Sequence, residues 1–516
     1  EEKNLYGEVF TPIELICEMF SHIPDDVWKN PDLKWLDPAN GIGNFPVVAY
    51  YKLMDSLKGY KPKGKTLSRH IIEDMLYIVE LNPVNVRVCK KIFKMIDPKA
   101  TPNIVKHDFL TFKGFKGIDK FDVIMGNPPF QIEQTGKRKG GYGGRTLWDK
   151  FVIKSFDLLK ENGILGYIHP SSWRKPEHDL WNLLGKKQIL YLNIYGESDG
   201  KKIFNASTRF DLYVLENKSV NRNTTVIDEQ NKQHSISLLD WPFLPNYEYE
   251  NIKKIITTEE KGIQIVYSSS IYDTRKPYLN KDKNDKYKYP VVHSITQNGL
   301  TYVYTDDTKR GHFGIPKVLL NFNRHQYPVN DYEGKYGMSQ ITFGIPIKSK
   351  KEGDNIVKAI NTDDFKEIIK ATKWGAFQTD WRMFKYFKPD FYKHFLGKSS
   401  KRSKESDNIP EPQRDQETVD LPPSPPPKKK TAKKEKSKCT KAHPEPPCQE
   451  KGFSREKNGC CYGPIKTQKK NKKGGGRTKR RNTRRNTRRN TRRNTRRNTR
   501  RKFTRKNTRH RRTRRR

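Results

Sequence analysis

The sequence predicts an α/β protein built on a doubly wound, Rossmann-like sheet, followed by a second α+β domain and a disordered basic tail. Three observations carry that expectation. Through residues 1–220, short apolar runs alternate with stretches of helical spacing, the pattern of a parallel sheet with crossover helices. Residues 221–400 are richer in Tyr, Asn and Lys and contain short β-like runs, "KVLLNF" and "QITFGIPI". Residues 401–516 hold 43 basic and 10 acidic residues, a composition that cannot bury a core.

The elements follow in chain order. Glu14 to Phe20 reads as a short helix, with Thr11 as its cap and Pro12 in its first turn. Lys34-Trp35-Leu36 is a short strand that feeds a glycine-containing turn. Met75 to Val79 is a second strand, and a helix runs from about Val84 to Met95. Phe121 to Met125 is another strand. Leu147 to Lys160 places Trp148, Phe151, Val152, Phe156 and Leu159 at helical spacing. Gly163 to Ile168 and Phe210 to Leu215 read as late strands. Beyond the change at 220, Asp363 to Thr372 is helical. "LPPSPPPKKK" is a stiff extended linker.

Charge narrows the partners. The chain of 516 residues carries 104 Lys and Arg against 58 Asp and Glu. Most of the excess lies in the tail, and residues 1–400 are basic as well. Both point to a polyanion, nucleic acid above all. Six cysteines in this length make no disulfide framework and suit a reducing compartment. Cys17 and Cys89 read as core residues. No apolar run of about 18 residues is present, so no membrane span is expected. Glu1-Glu2-Lys3-Asn4 does not read as a secretory signal. The expected location is intracellular, cytoplasmic or nuclear.

The corner "FDVIMGNPPFQ", Phe121 to Gln131, carries the most chemistry. Two prolines stop a strand abruptly, and in open α/β sheets ligands bind beyond the carboxyl ends of strands. The Asn127 side-chain oxygen and the Pro128 carbonyl make two acceptors at fixed spacing, because Pro128 locks the backbone so that its carbonyl cannot swing away. Together they can take both hydrogens of an exocyclic amine and leave its lone pair a better nucleophile toward a methyl donor. Phe130 offers a face for stacking an extruded base. A chance N-P-P-F in this length has a probability of roughly 0.3%. Three acids sit at three earlier strand ends. Asp37, in "WLDPANGIGNF", precedes a turn with Gly41 and Gly43 and can hold a cationic amino group. Glu80, in "YIVELNP", is placed to accept from ribose hydroxyls. Asp108, in "IVKHDFL", is a candidate acceptor for an adenine amino group. Singly, each is an ordinary turn residue; their order ahead of the corner is the signal.

Taken as an ordered set, "YGEVFTP" (Tyr6 to Pro12), "DPANGIGNF", "ELNP", "HDFL" and "NPPF" resemble the motifs of gamma-group adenine-specific DNA methyltransferases, and among them the type IIG restriction–modification methylases. "LWDKFVIKSFDLLKENGILGYIHPSSW" resembles the segment that follows the family's corner, and "KIFNASTRFDLYVLEN" its closing β-hairpin. The resemblance spans about residues 5–217 and, more loosely, 288–395. It implies an S-adenosylmethionine-dependent, seven-stranded methyltransferase fold, flipping of a base out of double-stranded DNA, and a C-terminal target-recognition domain. By position it implies that Phe10, Thr11 and Pro12 meet the cofactor's methionine end, and that Asp37, Gly41 and Gly43 frame its amino group. Glu80 would take the ribose and Asp108 the adenine. Asn127, Pro128, Pro129 and Phe130 would hold the target adenine. The family's Gly-rich motif usually reads Cys-Gly-Ser-Gly; here it is Asn40-Gly41-Ile42-Gly43. That departure keeps an alternative open, a catalytically weakened methyltransferase-fold protein that binds or packages DNA. Release-factor glutamine methyltransferases share the Asn-Pro-Pro corner but lack the "GEVFTP" segment and the long downstream region. No nuclease acid–lysine set stands out, so cleavage by this chain is not expected.

Other segments bear on partners. "QIEQTGKRKGGYGGR", Gln131 to Arg145, reads either as a loop closing over DNA or as a plain surface insertion. In the first case Lys137, Arg138, Lys139 and Arg145 meet phosphates. In "NFNRHQYP", Arg324, His325 and Gln326 are base-edge candidates; an ordinary loop explains them equally. Cys439, His443, Cys448, Cys460 and Cys461 are metal-capable types, but no C-x-x-C pair occurs, so no metal is assigned. That segment resembles short Cys-Pro elements in proteins of large DNA viruses. The arginines of the tail suit phosphate contacts with little sequence information.

Overall fold

A computed structural model of the chain describes residues 10–131, 146–322, 326–375 and 379–397, together with the paired strands Ser454–Arg455 and Cys461–Tyr462. The described residues up to Gly397 fall in one compact unit and the strand pair in another. Lys137, Arg138, Lys139, Arg145, Arg324, most of the Cys-rich segment and the arginine repeats lie outside the described residues.

The first half of the chain winds into a nine-stranded mixed sheet. Its strands are β1 (Trp35–Asp37), β2 (Leu76–Glu80), β3 (Asn103–Lys106), β4 (Phe121–Gly126), β5 (Leu159–Pro170), β6 (Lys187–Tyr195), β7 (Phe210–Ser219), β8 (Thr224–Ile227) and β9 (Gln233–Ile236). Their order across the sheet is β3-β2-β1-β4-β5-β7-β6-β8-β9. The first five are parallel to one another, and β7 runs antiparallel between β5 and β6. The chain leaves β1 toward β2 and β3 and returns on the far side as β4, which puts the topological switch point between β1 and β4. The seven strands from β3 to β6 match the expected core, and β8 and β9 extend its edge.

The continuous apolar runs exist because both faces of the sheet are covered. Trp35, Ile78, Val123, Met125 and Ile164 point into one core, while Leu36, Val79, Ile124 and Leu165 point into the other. On the first face pack the helices Ile13–Ser21, Asn44–Ser56 and Pro83–Ile96. On the second lies the helix Trp148–Leu158, together with Phe243, Trp374 and Phe384 from the later part of the chain. That later part is α+β, as the sequence predicts. It holds a four-stranded sheet and a three-stranded one, followed by the helices Lys350–Ile360 and Asp363–Ala371. Ser349 and Thr362 cap those helices by accepting from the backbone N–H of Glu352 and Phe365.

A buried ion pair stitches the two parts together. Arg174 and Asp211, both fully buried, are joined through Nε–Oδ2 (2.7 Å) and Nη2–Oδ1 (3.1 Å). Arg174 also donates to the carbonyls of Leu244 and Pro245 and to Asn246 Oδ1. Asp211 further accepts from Ser171 Oγ and Trp173 Nε1.

Three sequence expectations change. Thr11 is not the cap of the first helix: Pro12 holds the N-cap position, and no side chain caps the end. The Thr11 hydroxyl is engaged elsewhere, with Asn127. The helix expected to reach Lys160 ends at Leu158, because Leu159 already pairs with Phe121 in the sheet. Cys17 is exposed, whereas Cys89 is buried as expected. Among the described residues, no helix is long and apolar enough to cross a membrane. Nor does any group of three metal-ligating side chains occur among them.

Candidate active site

Four neighbouring parallel strands deliver four polar side chains to one edge of the sheet. Asp37 closes β1 and Glu80 closes β2. Asp108 follows β3 by two residues, and Asn127 directly follows β4. In the order β3-β2-β1-β4 these side chains come from adjacent strands at the switch point, where this fold class binds ligands.

The turn after β1 needs its glycines. Gly41 has φ +55° and Gly43 φ +107°, backbone that L side chains rarely adopt. A Cβ at Gly43 would also stand 3.0 Å from Cys89 Sγ. Gly43 caps the helix Asn44–Ser56, so the turn aims a helix N-terminus at the sheet edge. Glu80 braces this turn: Oε2 accepts from Gly41 N and Oε1 from Asn82 N, both at 2.7 Å. Any contact of Glu80 with a ribose must coexist with these two bonds. Asp108 is exposed and caps a short turn by accepting from Leu110 N at 3.0 Å.

Asp37 is only 1% exposed. Its Oδ1 accepts from Ala39 N (3.1 Å), while its buried Oδ2 has no hydrogen-bond partner among the described residues. Burial raises its pKa well above the usual carboxylate range, and the nearby Glu80 charge pushes the same way. A carboxylate held like this favours a cationic partner. A Cβ at Gly126 would lie 3.3 Å from Asp37 Oδ1, so a glycine at the end of β4 lets the corner approach this acid.

At the corner, Asn127 Nδ2 donates to Thr11 Oγ1 at 3.1 Å. Asn127 Oδ1 is buried and, among the described residues, unpaired. Pro128 is buried, and Pro129 and Phe130 are half-buried. The Phe130 ring meets Phe204 edge-on, with centroids 6.3 Å apart. Leu147 N donates to Phe130 O, and Gln131 bridges Thr146 beside the corner. Thr11 is 5% exposed, and its carbonyl accepts from Asn44 Nδ2 at 3.0 Å. A Cβ on Gly41 would lie 3.9 Å from the Phe10 ring, which is itself 52% exposed. The structure therefore gathers Phe10, Thr11, Asp37, Gly41, Gly43, Glu80 and Asn127 at one place.

Sequence reading missed Asn44, which holds the Thr11 backbone, and His169. Burial lowers the His169 pKa to about 4, keeping it neutral. It stacks on Trp148 at 4.6 Å and pairs through Nε2 with Tyr213 OH at 3.1 Å. It thereby fixes the start of the helix that follows the corner. Neither residue stands in a pattern that marks it in advance.

Comparison with known proteins agrees with this geometry. Residues 68–204, which include β2 to β6 and the corner, match the family model of the Eco57I restriction-modification methylases. That stretch is similar to an Eco57I restriction-modification methylase domain. The chain also has relatives of modest identity. An uncharacterized adenine-specific methylase of Mycoplasma pneumoniae is 27% identical over 37% of this chain and 62% of its own length. The modification methylase CviBIII of Paramecium bursaria Chlorella virus NC1A is 26% identical over 52% of this chain and 67% of its own. RM.Eco57I of Escherichia coli, a type II restriction enzyme and methyltransferase, is 27% identical over 32% of this chain and 16% of its own. The matched stretch thus spans less than two thirds of the first and a small part of the last. Among solved structures, the chain is similar to the Type IIL restriction-modification enzyme MmeI, determined in complex with DNA. That match has a TM-score of 0.43 and 13% identity, over 69% of this chain and 65% of that one.

Proposed function

We propose that this chain is a site-specific DNA adenine N6-methyltransferase that uses S-adenosylmethionine and acts on a base flipped out of double-stranded DNA. The observation that carries the reading is a pair of buried oxygens, each unpaired among the described residues: Asn127 Oδ1 at the end of β4 and Asp37 Oδ2 at the end of the neighbouring β1. One is an acceptor that wants an N–H group, the other a carboxylate that wants a cation. An exocyclic amine and the ammonium of the cofactor's methionine end satisfy them in turn.

The residues present fit that cofactor. Asp37 offers its orphan oxygen to the ammonium, the Gly41–Gly43 turn admits close backbone approach, and Phe10 and Thr11 flank the turn. Glu80 and Asp108 would meet the ribose and the adenine. When bound, the cofactor supplies an electrophilic methyl group. The rest falls to the protein. Asn127 Oδ1 and the Pro128 carbonyl accept the two amine hydrogens of the target and hold its lone pair toward the donor, while Phe130 stacks on the base. No general base is required, because the amine loses its proton after attack. Catalysis is positioning together with charge stabilisation. Residues 221–400, apart from β8 and β9 of the large sheet, are assigned to target recognition. The basic residues Lys137, Arg138, Lys139, Arg145 and Arg324 are assigned to the DNA.

The test is transfer of radiolabelled methyl from S-adenosylmethionine to mixed-sequence duplex DNA, with digestion to nucleosides. The label should run as N6-methyladenine, and Asn127→Ala should lower the rate by about 10²-fold or more. Label on cytosine, or an Asn127→Ala chain as fast as the wild type, would end this reading.

A further inference from the structure

We infer that the Thr11 hydroxyl is a positioning residue for Asn127, setting which end of its amide faces the target base and linking that choice to occupancy of the cofactor site. The inference rests on the methyltransferase reading above and adds a part that the reading does not contain.

A primary amide has two ends of similar shape and opposite hydrogen-bonding sense. Only with its oxygen toward the target can Asn127 accept from an amine. Turned over, it would point an N–H at an N–H. Something must therefore choose. The hydrogen-bond partner of the Asn127 side chain among the described residues is Thr11 Oγ1, at 3.1 Å and 116 positions away in sequence. That contact takes Nδ2 and leaves Oδ1 buried and unpaired.

Thr11 is well placed to choose, because it is buried and tied to its neighbours. Its carbonyl accepts from Asn44 Nδ2. The helix Ile13–Ser21 starts two residues later. That helix is pinned to β6 through Glu18, which accepts from Tyr191 OH (3.0 Å), Asn193 Nδ2 (2.7 Å) and Tyr195 OH.

A hydroxyl alone is an imperfect selector, since it has one proton to give and lone pairs to receive. It could donate to a reversed amide. Once its proton is committed to another acceptor, it can only accept from Asn127, and only the productive orientation survives. The carboxylate of the cofactor's methionine end is an acceptor of the right kind, and Thr11 lies on that side of the glycine turn. Cofactor binding then locks the amide of Asn127 in the orientation the base needs.

The experiment compares wild type, Thr11→Val, Thr11→Ala and Thr11→Ser in the full chain. It measures single-turnover methyl transfer to duplex DNA at saturating S-adenosylmethionine, cofactor Kd by calorimetry, and thermal melting. Thr11→Val keeps the shape and removes the hydroxyl. It should slow transfer by about 10²-fold even when cofactor saturates, the scale of a misplaced reacting group, with unchanged melting. Thr11→Ala should do the same should valine disturb the packing. Thr11→Ser, which keeps the hydroxyl, should recover most of the rate. An active wild type with an equally fast Thr11→Val and Thr11→Ala would overturn this inference alone. A wild type that transfers no methyl group would overturn it together with the reading beneath it.

Discussion

Replacing Asp37 by asparagine separates the cost of its burial from its use. In the free protein Asp37 is a carboxyl group with one oxygen on Ala39 N and the other buried without a partner among the described residues. Its pKa is raised, so the native state keeps a proton that the unfolded chain gives up near the ordinary carboxylate value. Asp37 therefore contributes its full stability below that ordinary value and loses it as pH climbs toward the raised one. The side-chain amide of the Asp37→Asn variant would keep the bond to Ala39 N and has no charge to desolvate. At neutral pH the ligand-free Asp37→Asn chain should melt at the same temperature or higher. Cofactor binding should move the other way. A hydrogen bond to a charged group contributes about 1.5–3 kcal/mol, so Kd for S-adenosylmethionine should rise by about 10- to 150-fold. The wild-type Kd should also tighten as pH rises through the raised pKa, because the ammonium needs the ionised acid, and the variant should show no such slope. Calorimetric titration across pH, paired with thermal melts, reads both. A variant Kd within twofold of wild type, or a wild-type affinity flat in pH, would refute the assignment of Asp37.

Two further outcomes concern stability. Arg174→Met leaves Asp211 buried with Ser171 and Trp173 as its remaining side-chain donors among the described residues; it should cost about 3–5 kcal/mol in urea unfolding followed by tryptophan fluorescence, and adding Asp211→Leu should recover part of that. Gly43→Ala, at φ +107° and 3.0 Å from Cys89 Sγ, should lower the melting temperature more than Gly41→Ala, at φ +55° with its nearest contact at 3.9 Å. About 1–3 kcal/mol is expected for the first and about 1–2 kcal/mol for the second, and the reverse ranking would show that the turn is not held as described.

What the sequence discloses, and what it hides, follows from the range of the interactions. The run Val123-Ile124-Met125 is legible as a strand because a sheet covered on both faces has no polar alternation, and the prolines after it fix where the strand stops. The acids of β1 and β2 are legible by position for the same reason. Their partners are not. Glu80 holds the amide of Gly41, 39 residues earlier, and Thr11 reaches Asn127 across 116 residues; no local period encodes either bond. The expected threonine cap failed on this point, since local preference gave Thr11 to its own helix and the fold spends the hydroxyl on a distant corner. Strands β8 and β9 escaped notice because "TTVI" and "QHSI" are short and partly polar, and pair only through the sheet already in place.

The shared core beneath β5 and β7 has a consequence for how such a molecule can be reshaped. Leu165 and Tyr213 sit in the same apolar cluster as Phe243, Trp374 and Phe384, and Arg174 reaches across to Leu244, Pro245 and Asn246. A chain cut near residue 220 would bare that side of the sheet and strand a charged pair in it. Exchanging the later half of the chain therefore means carrying the aromatic seam along and replacing only what lies outside it.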